Sequence, residues 1–166
     1  MILFVFFLLL FLGTVNSSCN DLPSQVHIYY MTDDPWGWRG DSKYNPDDLM
    51  NDYPHFLTIT SASVIKQLAF PQIDTVELNN HYGSIPNNYC PDARFVIKII
   101  WDSHIEMIVL GTSPSDISQF DSKPFVNENY YKFVSRYIAK HDNIFKKWYK
   151  LHFHKGKWHY YYWRSE

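Results

Sequence analysis

Two hydrophobic rhythms alternate along the chain, a period of two and a period near 3.6, and each announces an element. Between Gln25 and Met31 the apolar Val26, Ile28 and Tyr30 alternate with His27 and Tyr29, which predicts a strand that ends in Thr32-Asp33-Asp34-Pro35. From Thr32 to Pro54 the chain carries Pro35, Gly37, Gly40, Pro46, Pro54 and six Asp residues, the composition of an exposed loop. Within it Asn45 is placed to cap a helical turn over Pro46 to Asn51, with Pro46 in the first helical position. His55 to Thr60 alternates again. Val64, Ile65 and Leu68 then follow helical spacing from a cap at Thr60 or Ser61 until Pro71 stops the helix.

The clearest strand signals are Arg94 to Trp101 and Ile105 to Leu110, dense in β-branched and aromatic residues and joined by Asp102-Ser103-His104. They predict a hairpin. Phe95, Ile97, Ile99 and Trp101 share a face of the first, Ile105, Met107 and Val109 a face of the second, and the reverse faces are also apolar apart from Lys98 and Glu106, as in central strands covered by helices. From Asn127 to about Lys150 a helical stripe runs through Tyr130, Tyr131, Val134, Tyr137, Ile138, Ile144, Phe145 and Trp148. Asn127 is its cap, and Asp142-Asn143 is a candidate interruption. Leu151 to His154 and Trp158 to Trp163 flank Lys155-Gly156-Lys157 and predict a terminal β-hairpin. The order, roughly β-β-α-β-β-α plus that hairpin, predicts an α+β fold: one two-layer domain, a mostly antiparallel sheet with helices on one face.

The remaining apolar run, Ile2 to Leu12, is of another kind. With Met1 to Val15 too short for the ~20 helical residues a bilayer core requires, it reads as an export signal. Ser17-Ser18 stands directly before Cys19, which resembles the signals of bacterial lipoproteins, although Asn16 and Ser18 occupy places where that family commonly has Leu and a Gly or Ala. The resemblance implies a signal peptide over 1–18, diacylglycerol on the thiol of Cys19, a tether over 19–24 and one domain over 25–166. More broadly, the chain resembles small exported or lipid-anchored bacterial proteins of unknown function, which implies no catalytic residues. Cysteine arithmetic keeps a competing reading open: Cys19 and Cys90, the two cysteines present, suit one disulfide in an oxidising compartment. A lipidated Cys19 has no thiol to pair, so these readings exclude each other.

Composition narrows the function classes. In 166 residues, 46% are hydrophobic, 19% aromatic and the formal charge is −2, which argues against disorder and against a strongly basic nucleic-acid binder. The charge is nevertheless uneven. Lys140 to Glu166 holds seven Lys+Arg against two acids, and the rest of the chain eight against fifteen. Nine aromatics, among them Trp148, Trp158 and Trp163, sit between those cations, so Lys155, Lys157, Trp158 and Trp163 form one candidate binding surface. Core packing of the same rings is the plainer reading. Trp36 and Trp38, in the acidic loop, form another candidate surface.

Other motifs carry less. Arg39-Gly40-Asp41-Ser42 matches an integrin-binding tetrapeptide, but short matches arise by chance and an integrin partner is not expected. His152, His154 and His159 fall in the expected hairpin without the spacing of a metal site, and exposed strand histidines are the plainer reading. The loop aspartates lack the alternation of a calcium-binding hand. No nucleophile elbow, phosphate loop or metalloprotease motif occurs, so neither cofactor nor catalytic residue is expected. The resulting expectation is an exported, lipid-anchored cell-envelope domain that binds a protein or glycan. The alternative is a secreted, disulfide-bridged small enzyme or immunity-type inhibitor.

Overall fold

The computed structural model describes residues 22–32, 45–52, 55–69, 71, 91–154 and 157–158. Six strands form one sheet: β1 (Gln25–Tyr30), β2 (Phe56–Ile59), β3 (Phe95–Ile100), β4 (Ile105–Leu110), β5 (Ser118–Phe120) and β6 (Lys123–Phe125). Their spatial order is β2-β1-β3-β4-β5-β6, with every neighbouring pair antiparallel. Four helices accompany them: α1 (Pro46–Asp52), α2 (Ala62–Ala69), α3 (Glu128–His141) and α4 (Asn143–His152). The fold is a single α+β domain, in roughly the expected order.

The two-residue period decides which side of the sheet is the core. On β1, Val26, Ile28 and Tyr30 are buried while His27 and Tyr29 are half-exposed. Register carries that face across the sheet, because Ile28 lies opposite Ile97 and Ile97 opposite Ile108. Against it pack Ile65 and Leu68 of α2, Val134 and Ile138 of α3, and Phe145 and Trp148 of α4. Two tyrosines fasten α3 to its neighbours: the Tyr130 hydroxyl donates to the Leu68 carbonyl of α2 at 2.6 Å, and the Tyr131 hydroxyl to the Thr112 carbonyl beyond β4 at 2.9 Å. The apolar reverse face of β3 and β4 also finds its cover, since Leu49 of α1 packs with Val96 and Val109 at one end of that face.

Asp142 does interrupt the long amphipathic stripe. It closes α3 through its own N–H, which donates to the Ile138 carbonyl at 2.8 Å. It also opens α4, its Oδ1 accepting from the Ile144 N–H at 2.6 Å and the Phe145 N–H at 3.0 Å. The break re-aims the stripe, and Ile144, read as a core position, is exposed.

Two segments differ from the pattern. β5 and β6 are three-residue strands whose turn, Asp121-Ser122, holds φ 46° and 64°. Positive φ at both central positions is the backbone of a type I′ hairpin, here without the Asn-Gly or Asp-Gly that advertises it. Pro124 is tolerated because β6 is an edge strand. The terminal hairpin is also shorter than expected. Leu151 and His152 finish α4, and the pairing is reduced to β7 (Phe153–His154) with β8 (Lys157–Trp158). His152 is therefore no exposed strand residue but a buried helical one, its ring 4.5 Å from that of Trp148, which also meets the fully buried Arg94 guanidinium at 3.9 Å from its ring centre.

Candidate functional site

Among the described residues, the sheet face opposite α2, α3 and α4 is covered only in part, by α1. Tyr29 and Phe56 are direct cross-strand partners, and their rings stack at 5.7 Å with planes 26° apart. His27 lies beside both, at 6.4 Å from Tyr29 and 6.1 Å from Phe56. From β3 the Lys98 ammonium reaches over Tyr29, 5.5 Å from its ring centre. Phe56 is 52% exposed, a large apolar side chain standing in water at the edge of the sheet. Nothing in strand propensity requires it there.

This patch is cationic. Lys98 faces His27 directly across the β1–β3 pair, and none of the ion pairs between described residues involves Lys98. Burial, and then the Lys98 charge, hold the His27 imidazole below its ordinary value. A polar latch lies on the helical side of the same sheet corner. The Tyr30 hydroxyl donates to Asp142 Oδ2 at 2.6 Å, and His55 Nδ1 stands 3.7 Å from that oxygen. Burial alone pushes the Asp142 carboxyl up, but the Tyr30 hydroxyl, the Phe145 and Ile144 N–H groups and His55 together outweigh it and hold the group below its usual range. Burial and then the Asp142 carboxylate push the Tyr30 phenol well up. Both Asp142 oxygens are thus committed to holding α4 and β1 together.

These shifts have a sign. A folded-state value below the unfolded one means that the unfolded chain binds protons first, so acid favours unfolding. His27 makes its contribution above pH 6.5 and loses it as pH falls through its lowered folded value; Asp142 does the same from pH 3.8 downward. Urea midpoints are therefore expected to decline in two steps between pH 8 and pH 2.5. The upper step should shrink in His27→Gln, and an unchanged upper step in that variant would assign it to another group.

A third cluster sits at the tip of the β3–β4 hairpin. Trp101 and His104 stack at 5.6 Å with planes 4° apart, Trp101 Nε1 donates to Glu106 Oε2 at 2.9 Å, and His104 Nε2 lies 3.5 Å from Glu106 Oε1. Ile105, next in the chain, is 63% exposed.

Most residues that the sequence nominates cannot be compared with these clusters. Cys19, Cys90, Trp36, Trp38, Arg39-Gly40-Asp41, Lys155, His159 and Trp163 are outside the described residues. Lys157 is exposed on β8, and the Trp158 backbone pairs with Phe153. Of the nine C-terminal aromatics, Phe145 and Trp148 belong to the core, with Tyr149 and Phe153 packed against it, so these four follow the core-packing reading. The moved His152 dissolves the expected histidine face. Among the described residues, no three of His, Cys, Asp and Glu stand close enough to hold a metal ion.

The patch at His27, Tyr29, Phe56 and Lys98 was legible only in part. Alternation along β1 and β3 already separates His27, Tyr29 and Lys98 from the core face, but their juxtaposition with Phe56 depends on strand order. The Tyr30–Asp142 contact spans 112 residues and leaves no local signal. The chain matches no known protein-family model, no curated protein and no solved structure.

Proposed function

We propose that this protein is an exported, non-catalytic binding domain, held at a membrane of the cell envelope by a diacylglycerol on Cys19, and that it takes a protein partner on the open face of its sheet. The observation that carries the binding reading is the ring stack of Tyr29 and exposed Phe56 with Lys98 over it. Large rings gain contact area at small entropic cost, and a half-buried ammonium without an ion-pair partner among the described residues gains most from an incoming carboxylate. The partner surface is accordingly apolar and acidic. Two copies of this face would bring two Lys98 ammonium groups together, which disfavours self-pairing.

Mass spectrometry of the mature N-terminus tests the anchor, and a diacylated Cys19 is expected. An unmodified thiol, or a bridge to Cys90, would remove it and favour the secreted alternative. Photocrosslinking in cells tests the face. A crosslinker at position 56 should give one discrete protein adduct that Lys98→Glu reduces at least tenfold, whereas position 132 on the helical side should give none. Equal adducts from both positions would sink the assignment.

A further inference from the structure

We infer that the tip of the β3–β4 hairpin, together with Leu22, is a bilayer-contact surface that orients the domain on the membrane to which it is tethered; the inference rests on the anchor proposed above. Two observations meet here. The first is where the chain leaves the fold. Ser24 is fastened beside the hairpin, its N–H and its hydroxyl both donating to the Ile100 carbonyl, at 2.8 and 3.0 Å. Ser24 is only five positions beyond Cys19, a reach of at most about 17 Å even when fully extended. An acyl chain on Cys19 therefore keeps this end of the sheet close to the headgroups.

The second is what that end displays. Ile105 is 63% exposed and Leu22 40% exposed, two of the five large apolar side chains that stand in water among the described residues, and both lie at the end where the tether departs. Trp101, in the same hairpin, packs against the core and donates its indole N–H to Glu106, so it braces the tip from which Ile105 projects. Aliphatic side chains exposed at a loop tip suit shallow insertion among headgroups. The charges select the lipid. Asp102 is exposed beside the tip, and the Glu106 carboxylate is held by Trp101 and His104, so the tip offers no basic cluster and fits a zwitterionic surface better than an anionic one.

Two acyl chains hold a protein without help, so the tip sets orientation rather than affinity. The sheet then stands with its strands along the membrane normal, and the His27–Phe56 patch faces sideways.

Amide hydrogen exchange tests this on protein isolated from exporting cells and reconstituted into phosphatidylcholine vesicles. Exchange is expected to slow at least fivefold over residues 101–105, an effect that Ile105→Asp abolishes while the protein still floats with the vesicles. Unchanged exchange at the tip of floating protein would overturn the inference and leave the anchor standing. Slowing that appears without vesicles as protein concentration rises would assign the tip to a second copy and overturn it equally. If Cys19 arrives unmodified, the anchor fails separately. The tip must then partition onto concentrated phosphatidylcholine vesicles unaided, with Ile105→Asp lowering the bound fraction about tenfold, and absence of binding would overturn it.

Discussion

Phe95→Ala is expected to cost about 3–5 kcal/mol, a large share of the roughly 5–15 kcal/mol that holds an ordinary domain together. Phe95 is fully buried at the start of β3, and its ring meets Tyr131 edge-on at 5.2 Å and Phe145 edge-on at 5.8 Å. One side chain therefore joins the sheet to both long helices. Truncation removes the transfer energy of the ring, leaves a cavity that three rigid elements close poorly, and deletes two aromatic contacts. Urea unfolding should show the midpoint falling with an unchanged slope, and Phe95→Leu should recover most of the loss. A cost below about 1 kcal/mol would mean that the helical layer is held elsewhere.

Asp142→Ala is expected to follow, at about 2–4 kcal/mol. The carboxylate does two jobs at once. Oδ1 caps α4 through two backbone N–H groups, and Oδ2 accepts the hydroxyl of Tyr30, a residue almost wholly out of water. Alanine leaves all three donors without that acceptor, and the phenol has little access to solvent with which to replace it. Asp142→Asn keeps a capping oxygen and should lose about half as much. Tyr30→Phe should lose roughly 1–2 kcal/mol, and the double variant should cost less than the two single changes together, because both remove the same hydrogen bond. Strict additivity would show that the cap and the tyrosine contact act independently.

Why these residues matter was only partly visible from composition and rhythm. The apolar faces of β1, β3 and β4 and the stripe on α3 and α4 are local regularities, and a period of two or 3.6 reports them directly. Asp142 was legible as an interruption, because a residue that bonds neighbouring backbone N–H groups competes with the helix interior. Its bond to Tyr30 was not, since no pattern within a dozen residues encodes a contact made 112 residues away. β5 and β6 escaped for another reason: the strands are three residues long, and Asp121-Ser122 adopts a left-handed turn without glycine. His152 was misplaced because Leu151 to His154 alternates like a strand, while the growing helix and the Trp148 ring decide otherwise. Phe56 stood in a correctly read strand, yet its value lies in being opposite Tyr29, a fact of register rather than of sequence.

The place of β1 has a mechanical consequence. Although it is the first strand among the described residues, it lies between β2 and β3 and is paired on both sides. A pull transmitted through the preceding residues acts along its axis, at right angles to the interstrand hydrogen bonds. The load is shared in shear across two ladders instead of parting one bond after another, so the domain resists extraction at the very strand where the force enters.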